Sequence, residues 1–309
     1  MALTNTTNYV GTAAKEYISQ ALFAGESFEK GLIFPVTNVK YKIALPRMDI
    51  STNLIQPDSQ NWTSGGTLVR TEKYLIPVRL KVNFEHWKNA FQDSYESERS
   101  PAGALANEAP SDVYTYINDL MVASIGQQVE IAVWSSNWSG ASPTSLSAYT
   151  ITGFNGLLKK IDEDSPTRVV GTTLSASNIQ AELAKVYNAI PSQLLNKTVI
   201  GLSKTALGYY KQSLAAQASI GDASKDQADT YLGVKLYGLA GYPTNVMCSF
   251  VPANQPNRAC FMGTDLEADF QEIKIIDQSN YTGDDIIKYK MRFQGDTNVA
   301  IGAECVLYK

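Results

Sequence analysis

The densest run of side chains able to do chemistry is "GTDLEADFQE" at 263–272, which carries Asp265, Glu267, Asp269 and Glu272. Carboxylates at this density supply the hard oxygen ligands that a divalent cation takes, and a metal-dependent hydrolase would use such a cation to activate water. A local reading competes. Thr264 and Glu267 have the spacing of a helix capping box, and acids in a first helical turn meet its unpaired N–H groups. Capping accounts for the run without a ligand. The single histidine, His86 in "NFEHWKN", cannot build a His-based metal site, and no Ser-His-Asp arrangement surrounds it,. Neither a Gly-x-x-x-x-Gly-Lys-Ser/Thr phosphate loop nor a Gly-x-Ser-x-Gly elbow occurs,. The three cysteines, Cys248, Cys260 and Cys305, are far apart and lack a Cys-x-x-Cys pair, so reduced thiols are expected rather than disulfides or zinc,. The expectation is a non-enzyme with no catalytic residue, cofactor or metal site. A hydrolase built on 265–272 is the weaker alternative.

A chain of 309 residues buries a substantial core without disulfides or metals,. Its 44% hydrophobic and 18% charged content is globular, with low charge for its size, as when partners cover part of the surface,. The net charge of −4 argues against a protein that coats nucleic acid,. No run approaches the roughly 20 apolar residues of a membrane-spanning helix, and no secretory signal pattern opens the sequence,. The 17 tyrosines suit interfaces at least as well as cores,.

Periodicity then gives the elements. "TAAKEYISQALFAG" predicts a helix of about three turns that needs a surface to lie on,. "NVKYKIAL" and "EKYLIPVRLKVNF" alternate with period 2 and predict two long strands joined by about 25 polar residues, a ribbon with an extended tip,. Tyr74, Ile76, Val78 and Leu80 are placed on one face, with Lys40, Lys42, Lys73, Arg79 and Lys81 opposite. Nothing nearby in sequence covers this ribbon, which suggests another subunit. Residues 111–134 read as one long helix with Tyr114, Ile117, Met121, Ile125, Gln128 and Ile131 on a face,. A capping box at Ser177 and Gln180 opens a second helix, "KTVIGLS" reads as a buried strand, and "KTALGYYKQSLAAQ" as a third helix,. "YLGVKLYGLAGYPTNVMCSFVP" reads as two strands about a Gly-Tyr-Pro turn. The last two strands are expected on either side of a turn at Gln294–Asn298.

This order resembles the major capsid protein of tailed bacteriophages, whose HK-ninety-seven-like fold is shared with encapsulins and the herpesvirus capsid floor. "TAAKEYISQALFAGESFEKGLIF" is similar to the family's N-terminal arm, and the closing "GTDL…EIKIID…IIKYKMRF…" to its final segment. The resemblance implies an α+β fold with an arm at 1–33, an extended E-loop hairpin at 34–85, a P-domain at 86–135 and 263–309 with a spine helix, and an A-domain at 136–262. Its last strand would sit in the P-domain sheet. The implied function is structural: self-assembly into pentamers and hexamers of an icosahedral virion enclosing double-stranded DNA, assembled in the cytoplasm of a host bacterium. Subunit contacts are expected through Lys40, Lys42, Lys73, Tyr74, Ile76, Val78, Arg79, Leu80 and Lys81. The implied partners are other copies of the chain, neighbouring capsomers, a portal, separate scaffolding or decoration proteins, and packaged DNA, with no membrane. An encapsulin-like compartment is the alternative within the same fold.

Overall fold

The computed structural model describes residues 6–10, 25–50, 54–55, 57–58, 60–61, 66–87, 111–138, 153–216, 229–265, 272–278 and 281–309. The helix expected over 12–24 and most of the acidic run at 266–271 lie outside them. The fold is α+β: two six-stranded sheets, a two-stranded ribbon and a long helix.

The first sheet is built on β13 (Ile286–Val299), a strand of 14 residues. On one side it pairs with β12 (Glu272–Asp277), which pairs in turn with β1 (Thr6–Val10). Along its other side run β5 (Val78–Trp87) and then β11 (Cys260–Thr264), and β11 takes β2 (Phe34–Thr37) in parallel. Period 2 holds along β13, with Ile287, Tyr289, Met291 and Phe293 buried while Lys288, Lys290 and Arg292 face out. The expected turn at Gln294–Asn298 is strand instead. Its polar groups are buried but satisfied: Gln294 C=O accepts from the Thr264 hydroxyl at 2.8 Å, and the Thr297 hydroxyl donates to Asn155 C=O at 2.6 Å. The Thr264 hydroxyl is thus engaged in the sheet, and the rest of the expected capping box lies outside the described residues.

The second sheet runs β6 (Thr167–Val169), β14 (Val306–Tyr308), β10 (Met247–Phe250), β7 (Val199–Ser203), β9 (Val234–Leu239) and β8 (Thr230–Tyr231). The expectation that the last strand joins the first sheet is corrected here. β14 lies between β6 and β10, all three of its residues buried, and the preceding Ala300–Glu304 is turn rather than strand. The strands β9 and β10 form as the sequence suggests but are separated by β7, which pairs with both.

Helix α2 (Ser111–Ser135) matches the expected long helix. Its buried positions are Val122, Ile125, Val129 and Val133, and Glu130 to Trp134 are buried all round; of the expected face, Ile125 and Ile131 are buried while Met121 and Gln128 are only partly covered. Burial on all sides comes from packing against α1 (Glu26–Glu29), α3 (Leu157–Glu163) and the β9–β10 connection. Gly241 permits that last approach, since a Cβ there would come within 2.6 Å of the Glu130 carbonyl oxygen. Helices α4 (Ile179–Ala189) and α5 (Lys204–Ala216) cover the second sheet. The Ser177–Gln180 capping box does not form. Asn178 is the N-cap, and Gln180 donates to Ser213 instead.

Candidate functional site

The ribbon consists of β3 (Ile43–Ile50) and β4 (Leu68–Leu75), paired antiparallel from Ile43–Leu75 to Ile50–Leu68. The sequence suggested a single strand from 72 to 84. The chain instead breaks at Ile76–Pro77, and β5 departs into the first sheet. Proline supplies no N–H for a ladder, which makes it a natural break. Two groups on β13 hold the break: Ile76 N–H donates to Asp296 at 2.8 Å, and the Asn298 side-chain amide donates to Tyr74 C=O at 2.7 Å. Burial pushes the Asp296 carboxyl up, and the Ile76 N–H partly offsets that.

Register assigns the two ribbon faces. One carries Leu45, Arg47, Lys73 and Leu75 and is fastened to the chain's own body. Lys73 pairs with Asp164, Arg47 pairs with Glu304 at 2.6 Å, and Leu75 is fully buried against Gly263. The other carries Ala44, Pro46, Met48, Leu68 and Tyr74, with Arg70 and Glu72 paired to each other at 2.6 Å. Here Met48 is 61% exposed and Leu68 63%. Leu54 and Ile55, between the strands, are also exposed. Most of the large apolar side chains left exposed among the described residues lie between 41 and 87.

The nine residues expected to form one contact surface are thus divided. Lys40 is exposed in the lead-in, and Lys42 lies over the Tyr74 ring, 3.5 Å from its centroid. Lys73 is engaged within the chain, and Ile76 is at the break. Val78, Arg79, Leu80 and Lys81 belong to β5, where Leu80 packs on the core while Arg79 and Lys81 face out. Sequence reasoning missed Met48 and Leu68. They fall where the alternation of the flanking segments had faded into polar sequence.

The residues considered for catalysis are placed elsewhere. His86 is half-buried between Phe84 and Tyr289, with ring centroids at 6.1 and 5.7 Å, and burial lowers its pKa. The three thiols are free and buried, and burial pushes each up, Cys305 to about 12. Asp265 is buried, and the side chains of Glu267, Asp269 and Glu272 lie outside the described set. No group of three His, Cys, Asp or Glu side chains among the described residues is arranged to hold a metal ion. No described helix is long and apolar enough to cross a membrane.

No protein-family model matches the sequence, and no curated relative does. Solved structures match along nearly its whole length. A chain of the satellite phage P4 procapsid, solved with its size determination (Sid) protein, aligns with TM-score 0.66 and 11% identity, over 97% of this chain and 91% of its own. The chain has the phage capsid fold. The capsid of the native GTA particle aligns with TM-score 0.56 and 9% identity over 100% and 94%, and Gordonia phage Cozz with 0.53 and 13% over 92% and 86%. At such identities the capsid fold is carried by the order of elements and their buried pattern, not by shared side chains.

Proposed function

We propose that this chain is the major capsid protein of a tailed-phage head. It assembles into pentamers and hexamers of an icosahedral shell around double-stranded DNA, and it performs no catalytic step. The observation that carries this reading is the alignment of 97% of the chain with a procapsid chain. In these terms 1–33 is the arm, 34–85 the E-loop region, 86–135 with 263–309 the P-domain, and 136–262 the A-domain. Within that division the projecting part of the E-loop is 43–75, hinged at Ile76–Pro77, and β14 completes the A-domain sheet.

Contact between subunits runs through the outward ribbon face. Met48 and Leu68, laid on an adjacent subunit, each contribute about 1.5–3 kcal/mol on full burial. Surface ion pairs from Lys40 and Lys42, and from Arg79 and Lys81 on β5, add about 0–1 kcal/mol each. Tyr74, Ile76 and Val78 extend the apolar strip towards the hinge, and Leu80 and Lys73 hold the ribbon's root to its own subunit. A portal, scaffolding or decoration proteins and neighbouring capsomers complete the partners, and assembly takes place in the bacterial cytoplasm before the protein resides in the virion.

Expression of the chain followed by sedimentation and negative-stain microscopy tests the reading. Rings and closed shells are expected. Recovery of compact monomers alone at high protein concentration would overturn it, and shells filled with protein in place of nuclease-protected DNA would make it an encapsulin-like compartment.

A further inference from the structure

The outward face of the first sheet collects positive charge in a pattern that folding does not require. On β13, Lys288, Lys290 and Arg292 alternate with buried residues. On the same face β5 presents Arg79 and Lys81, and β12 presents Lys274. The register sets Arg292 directly opposite Lys81, and Lys290 directly opposite Lys274. Like charges directly opposed across strands destabilise a sheet, and the other face of these strands already supplies the apolar core. Two acids share this face by register: Glu85, 3.7 Å from Lys288, and Glu272, which stands opposite Arg292 on β12; six cations against two acids leave it strongly positive. This concentration sits in a chain whose net charge is −4, so cationic side chains are gathered here against the overall balance.

Geometry narrows the partner. Neighbouring cations stand about 4.8 Å apart across strands and about 6.8 Å apart along a strand, which makes a flat lattice rather than a cleft. Among the described residues this surface lacks a central cluster of large apolar anchors such as a protein-docking site carries; Trp87 and Ile286 lie together at one end of the strip, with Ile276 opposite Lys288 beside them. With no aromatic row between the cations, splayed bases have nothing to stack on. An extended, regularly charged backbone fits, and phosphate contacts carry no sequence information. We propose that this face binds duplex nucleic acid through its phosphates, without reading sequence. Given the shell reading above, on which this part rests, the face lines the lumen.

Binding of unassembled subunits to two fluorescent duplexes of unrelated sequence, measured by anisotropy over a salt series, tests this. The comparison is with Lys81→Gln/Lys290→Gln/Arg292→Gln. Both duplexes are expected to bind equally. The slope of log K against log salt should fall by about 0.9 for each phosphate no longer neutralised, or about 2 to 3 for the triple variant. Its Tm should hold or rise, because opposed like charges are removed. Unchanged duplex binding in the variant would overturn the inference. So would tighter binding of polyglutamate than of duplex, which would assign the face to an acidic polypeptide. A Lys290→Cys subunit labelled with biotin-maleimide tests orientation, since the native thiols are buried. Streptavidin should capture dissociated subunits but not closed shells; capture of intact shells would turn the face outward and overturn the lumenal assignment. Should no shells form, the duplex measurement still decides the inference, so the two readings fail separately.

Discussion

Ser27→Ala probes the junction between α1 and α2. Ser27 is fully buried. Its hydroxyl donates to Glu130 at 2.5 Å and accepts the Trp134 indole N–H at 2.7 Å, while its backbone N–H reaches the second Glu130 oxygen at 3.3 Å. Gly25 lies against the same carboxyl, where a Cβ would collide with it. Removing the hydroxyl leaves a carboxyl oxygen and an indole N–H short of a partner. Each buried unsatisfied group costs about 1–3 kcal/mol, so the variant should lose roughly 2–6 kcal/mol. Urea unfolding of unassembled subunits, followed by tryptophan fluorescence, measures it as a lower midpoint at unchanged m-value. A loss below about 0.5 kcal/mol, the range of an ordinary surface substitution, would refute the account. The same junction predicts a pH dependence. Burial pushes the Glu130 carboxyl up, with the Ser27 hydroxyl as the main offset. A carboxyl whose folded pKa exceeds its unfolded value stabilises most below the unfolded value, and that contribution is lost as pH rises through the folded value. Glu130→Gln should therefore flatten the decline in Tm just above the ordinary carboxyl range. An unchanged pH profile would place the titrating group elsewhere.

Met48→Glu with Leu68→Glu should leave subunit melting within about 0.5 kcal/mol of the parent, as exposed positions do, yet abolish shells in sedimentation; coincident unfolding would mean this ribbon face belongs to the core. Asp296→Ala strands the Ile76 N–H at the hinge and should cost about 1–3 kcal/mol by urea unfolding. Leu307→Asp puts a carboxylate into a fully buried strand facing Cys248, at a cost of several kcal/mol, and circular dichroism should show it unfolded. Thiol reagents should find no reactive cysteine in the native chain and all three after denaturation, because burial keeps each thiol protonated and covered; fast native labelling would contradict that burial.

Where one local rule operates alone, the sequence is legible. The alternation in "IIKYKMRF" is reproduced residue for residue by the buried and more accessible positions of β13, because a half-buried strand must repeat every two residues. The helices of 111–135 and 204–216 were equally readable, since neither contains a proline. The polar run 294–298 was misread because its composition is that of a turn, and only partners distant in sequence, Thr264 and Asn155, make it tolerable as buried strand. The strand broken at Pro77 was misread because alternation continues across it. The break becomes visible only when β13 is present to hold Ile76 and pair with β5.

Sequence by itself determined the α+β class, the long helix and the alternation of β13, all of them matters of spacing and composition within a few residues. Tertiary structure decided which strands became neighbours. It moved β14 into the second sheet, divided the presumed basic row among Asp164, the Tyr74 ring and the first sheet, and set Arg292 against Lys81 and Lys290 against Lys274. The physical reason is that periodicity fixes which way a side chain points, whereas pairing is chosen by burial and hydrogen bonding between segments far apart in the chain.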